Sequence, residues 1–120
     1  MGSGCCPDRP IVKDELCSNW EADCVTGTDN DPVILWEADP DVIQPFGTVT
    51  ILVENACRDV EIFVNDCERH DTPVVTIDEG QSFSKTFNNL TCVAVRCRQG
   101  DDPGTICCGK LCMTVHYKRC

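Results

Sequence analysis

Twelve of the chain's 120 residues are cysteine, near the density at which a disulfide scaffold becomes the leading account of how a short chain holds its shape. At this length about 65% of the surface of the unfolded chain can be buried, enough for one sandwich-sized core. A disulfide needs its Cα atoms within about 7 Å, and a strand advances about 3.3 Å per residue. Locating the strands therefore limits which cysteines can meet.

From residue 32 the sequence is a series of short β-branched runs separated by turn residues, and helical periodicity of any length is absent. The runs read as strands are 33–36, 42–46, 48–54, 60–64, 74–77, 82–87, 91–97 and 111–117. Val49, Ile51 and Val53 alternate with polar neighbours, as do Leu111, Met113, Val115 and Tyr117, so each run has one apolar face. Asp78-Glu79-Gly80 and Asn88-Asn89 supply turns, and 99–104 makes a longer loop. Eight such strands predict an all-β fold, an eight-stranded jelly-roll β-sandwich. Residues 1–31 lack the alternation and are rich in Pro, Asp, Gly and Cys. Within them, 1–16 reads as a flexible N-terminal connector arm, and the stretch from Cys17 to Trp20 as the first part able to pack, giving a domain over 17–120.

The strands constrain the cysteines. Cys57 and Cys67 flank the run 60–64, and Cys92 and Cys97 bracket another, so neither pair closes on itself. Cys97 faces the Cys107-Cys108 doublet across the 99–104 loop, where an intrachain staple forms if the flanking segments pair antiparallel. Vicinal cysteines make a strained ring, so the members of Cys5-Cys6 and of Cys107-Cys108 take separate partners. The arm that carries Cys5 and Cys6 either folds back to staple its own domain or reaches a neighbour. Cys112 suits the second case, because alternation turns it away from the core side of Leu111, Met113 and Val115.

The net charge of −10 disfavours nucleic acid and anionic membranes as partners, since both require clustered Lys or Arg. No stretch approaches the roughly 20 apolar residues of a spanning helix, and the first residues show no apolar core of a secretion signal. Cysteine clusters without a secretion signal more often bind metal or do redox chemistry. Zinc, however, wants closely spaced pairs, and Cys108, Cys112 and His116 on one strand spread over about 26 Å. No metal and no other cofactor is expected. Asp29-Asn30-Asp31 and Asp39-Pro40-Asp41 gather hard oxygens without the loop of an EF-hand, and turn formation explains both. His70 and His116 are accompanied by no nucleophile elbow, phosphate loop or paired metal ligands, and catalysis is not expected.

A doublet, a ten-residue spacer and a third cysteine closely followed by tryptophan (Cys5-Cys6, Cys17, Trp20) resemble the endospore appendage subunits of bacilli. The phrases 77–83, 88–90 and 109–117 are similar to the same family. The resemblance implies a jelly-roll subunit whose sheets join edge to edge with those of neighbours in a pilus-like fibre on the spore surface. It further implies that Cys5 and Cys6 are connector thiols, and Cys17 and Cys112 their acceptors in other subunits. The implied partner is the chain itself, with related appendage subunits or spore coat proteins as further ones. Production in the mother cell and oxidation after its lysis would reconcile many disulfides with no visible signal. Cys24, Cys57, Cys67, Cys92, Cys97, Cys107, Cys108 and Cys120 include more cysteines than the family usually carries. A monomeric, disulfide-rich binding module, with all twelve cysteines paired internally, is the competing reading.

Overall fold

The computed structural model describes residues 11–25, 32–40, 42–65, 67, 72–98 and 106–119. They form eight strands and no helix: β1 (Val12–Val25), β2 (Val33–Glu37), β3 (Val42–Asn55), β4 (Asp59–Val64), β5 (Val75–Asp78), β6 (Ser82–Phe87), β7 (Cys92–Arg98) and β8 (Ile106–Arg119). One antiparallel sheet runs β1-β8-β3-β6. Another runs β2-β7-β4-β5, also antiparallel. They are joined where the end of β1 lies parallel to the end of β7, Cys24 beside Cys97 and Val25 beside Arg98, which makes the whole nearly barrel-like.

The inner faces follow the alternation in the sequence. Val49, Ile51 and Val53 from β3 meet Leu111, Met113 and Val115 from β8, and all are buried against Val60, Ile62, Val93 and Val95 of the facing sheet. The runs 42–46 and 48–54 are one strand, β3, with a register shift between Ile43 and Phe46. Gln44, at φ 51°, and Pro45 occupy the irregularity; proline has no N–H to give to a ladder, so such sites are where a strand tolerates it.

β1 is the element that alternation does not reveal. Its inward positions are Asp14, Leu16, Ser18, Trp20 and Ala22, two of them polar. What holds it is pairing with β8 from Val12 opposite Tyr117 to Asp23 opposite Ile106, and the inward Asp14 accepts a hydrogen bond from the Tyr117 hydroxyl. The ladder thus begins at Val12, inside the stretch read as arm.

β4 and β7 are buried on both faces. Phe63, Cys67, Cys92 and Ala94 make a second, smaller apolar cluster on the outer side. Beside it Arg96 donates from Nε to Glu61 at 2.8 Å, with side-chain exposures of 2% and 10%. Asn65, at φ 74°, closes the end of β4. Its Nδ2 donates to the Asn89 carbonyl at 2.8 Å, and its Oδ1 accepts from the Thr91 N–H at 2.8 Å. Asparagine suits this position because its short polar side chain tolerates the left-handed region. Asn65→Ala is expected to lose about 2 kcal/mol, combining lost hydrogen bonds with left-handed strain. Asn65→Gly should recover the backbone share only; equal thermal midpoints for all three proteins would show that this tie contributes nothing.

Candidate cross-linking site

Outward positions of the β1-β8-β3-β6 sheet carry small polar side chains. Thr48 and Thr86 share a hydroxyl hydrogen bond of 2.7 Å, and Thr50 and Ser84 one of 2.9 Å. Cys17 of β1 and Cys112 of β8 stand directly opposite one another on this face, Cα–Cα 4.1 Å, and are joined as a disulfide. Cys17 is exposed and Cys112 half-buried. Together with Glu15, Thr48, Thr50 and Thr114 they line a shallow groove of about 190 Å³. Further along, His116 stacks on Phe46 at 5.0 Å, and Lys13 pairs with Glu15 at 3.0 Å.

The other bonded cysteines lie toward the sheet junction or on the second cluster. Cys97 bonds Cys107, tying the end of β7 to the start of β8, and Cys24 bonds Cys57, tying the end of β1 to the turn between β3 and β4. Cys67 bonds Cys92 over the outer apolar cluster. The two pairs flanking 60–64 and 91–97 thus take partners elsewhere. Of the Cys107-Cys108 doublet, Cys107 points inward and is bonded, whereas Cys108 points outward and, among the described residues, is the one free thiol. Cys5, Cys6, Cys120, His70 and Asp29-Asn30-Asp31 lie outside the described residues. Among the described residues no three His, Cys, Asp or Glu side chains gather where one metal ion could be held, and no helix is long and apolar enough to cross a membrane.

Three strands are sheet edges among the described residues. β6 pairs with β3 alone, β5 with β4 alone and β2 with β7 alone. β2 exposes Val33 and Ile34, at 43% and 45%, whereas β6 carries Lys85 with its ammonium 5.6 Å from the Phe87 ring. Among the described residues β1 is a further edge over Val12–Asp23, where it pairs with β8 alone.

Comparison with known proteins gives the class: the family model described as endospore appendages matches residues 3–119. The chain belongs to that endospore appendage family. Among solved structures, a chain described by the words "Bacillus endospore appendages form a novel family of disulfide-linked pili" matches with a TM-score of 0.71. It is 18% identical, and the match covers 100% of this chain and 98% of that one, so the fold is shared. No curated protein gives a significant match.

Two features of the site escape the sequence. That Cys17 and Cys112 face each other depends on the β1–β8 register, which the polar inward residues of β1 conceal. The Glu61–Arg96 pair sits in runs whose surroundings suggest only apolar packing, although an Arg among Val, Ala and Cys at 92–97 was the available signal.

Proposed function

We propose that this chain is a structural, non-catalytic subunit that polymerises into a pilus-like fibre on the spore surface, joined by edge-strand pairing and made covalent by disulfides from its N-terminal connector. The jelly-roll reading of the fold is supported by the strand orders β1-β8-β3-β6 and β2-β7-β4-β5. Edge pairing is supported by β2 and β6, each of which has one strand partner among the described residues and so offers a second edge that would template another copy. A head-to-tail contact that does not close grows without limit into a helical filament.

The observation that carries the proposal is the outward Cys17–Cys112 site on a chain of the endospore appendage family, with a structural neighbour described as disulfide-linked pili. Cys5 and Cys6, on the connector 1–16, are the donors, and Cys17 and Cys112 of other subunits are the acceptors. Part of that connector, from Val12 onward, is already strand, which sets its base beside the acceptor face.

Denaturing electrophoresis with and without reductant tests this. Ladders or material retained in the well are expected without reductant, and a monomer with it. The Cys5→Ser/Cys6→Ser variant should run as monomer in both lanes. A parent chain that is monomeric in every lane would instead mark a self-stapled binding module.

A further inference from the structure

The reading above needs Cys17 and Cys112 to receive connector thiols, yet within the chain they are bonded to each other. We propose that this bond is the electrophile of the joining reaction: the Cys17–Cys112 disulfide is opened by a connector thiol of another subunit, in thiol–disulfide exchange, with Cys17 attacked and Cys112 released. The inference rests on the connector reading and adds its chemistry. The thiolate of Cys5 or Cys6 attacks Sγ of Cys17 and a new S–S bond forms. The Cys17–Cys112 bond breaks, and its electron pair leaves on Sγ of Cys112. That sulfur takes up a proton equivalent to the one the connector thiol gave to solvent. One disulfide replaces another, so this step needs no oxidant.

Two independent features choose the sulfur. Exchange at sulfur proceeds with the attacking, central and leaving atoms in line, and access governs which sulfur reacts. Cys17 and Cys112 are direct partners across the ladder, so the line from Cys112 through Cys17 continues over the edge of β1 that, at Cys17, pairs with no described strand. The opposite line runs over β3 at Thr50, which is opposite Cys112 and bonded to Ser84. Cys17 is also the more exposed residue of the two.

Charge acts in the same sense. Alternation puts Lys110 and Thr114 beside Cys112 on the outward face, and Glu15 and Asn19 beside Cys17. A nearby ammonium favours thiolate on Cys112, and a better-stabilised thiolate leaves faster. Glu15 disfavours thiolate on Cys17; it is paired with Lys13, so Lys110 counts for more. Joining is thus ordered: Cys17 is cross-linked first without oxidant. The Cys112 thiol then couples to the second connector thiol, the two electrons and two protons passing to dioxygen.

Two full-length chains separate the steps. The donor, Cys17→Ser/Cys112→Ser, keeps reduced connector thiols; the acceptor, Cys5→Ser/Cys6→Ser, keeps the internal disulfide. They are mixed under argon, quenched with N-ethylmaleimide and mapped by peptide mass spectrometry. A donor–acceptor dimer is expected without oxygen, bonded through Cys17, with Cys112 alkylated in equal amount. Cys112→Ser in the acceptor should abolish the anaerobic dimer and leave an aerobic one. A dimer that forms in air and not under argon overturns exchange while the connector reading stands, and a dimer bonded through Cys112 with Cys17 alkylated overturns the assigned order. No dimer in either atmosphere overturns both readings.

Discussion

Gly109→Ala is expected to destabilise the chain by about 3 kcal/mol or more, at the upper end of what overpacking costs. Gly109 lies in β8 between Trp20 of β1 and Val53 of β3, in the middle of its sheet. A Cβ built there overlaps the Leu52 carbonyl oxygen and falls 2.9 Å from Cζ2 of Trp20. The first of these is backbone, and it cannot swing aside as the end of a long side chain can. Relief requires β3 to move from β8, which breaks the ladder around the register shift between Val53 and Asn55. Gly80→Ala is the comparison: at φ +83° it has nothing within 4 Å of the new atom, so only left-handed strain of about 1 kcal/mol is incurred. Denaturant midpoints measured under oxidising conditions should rank parent, Gly80→Ala, Gly109→Ala. A Gly109→Ala protein at least as stable as Gly80→Ala would mean that β3 can separate from β8 at little cost.

Removing the buried carboxylate should cost as much. Glu61→Ala is expected to lose about 3–5 kcal/mol, the range for breaking a buried pair at one partner. The Arg96 guanidinium would remain inside, 2% exposed and 5.2 Å from the Phe63 ring, without the oxygen that its Nε now reaches at 2.8 Å. Arg98, 3.6 Å from the same oxygen and 30% exposed, can turn to water and adds little. Replacing both partners, Glu61→Leu with Arg96→Met, should restore most of the loss, because an apolar pair of similar volume avoids desolvating charge. If Glu61→Ala unfolds within about 1 kcal/mol of the parent, or if the double replacement is no better, then the pair is not buried as a unit.

Legibility in the sequence followed the strength of alternation. Val49, Ile51 and Val53 of β3 and Leu111, Met113 and Val115 of β8 fall on one side in unbroken alternation, and those stretches of the inner face are readable from residue order. β1 could not be read so, because Asp14 and Ser18, both exposed, interrupt the inward side of its alternation, and the strand shows itself only through its register with β8. β7 was legible as a strand and not in its faces: buried on both sides, it presents an apolar run in which alternation has nothing to report, and Arg96 is an exception that only its partner explains. Distance along a strand was enough to say which cysteines do not pair. It could not say that Cys24 reaches Cys57, since that bond spans the junction of two sheets.

The position of the acceptor face on β1 has a mechanical consequence. In a fibre joined as proposed, a pull on the connector enters the subunit at Val12 and leaves through the disulfide at Cys17, five residues further on. At about 3.3 Å per residue, that is roughly 16 Å of extended backbone. Tension would then travel from subunit to subunit through peptide bonds and sulfur, over that short stretch of strand. Most of the fold would hang beside that path, and only load passing through the second link, at Cys112, would cross the β1–β8 ladder. The thread would bear the weight, and the folded domains would clothe it.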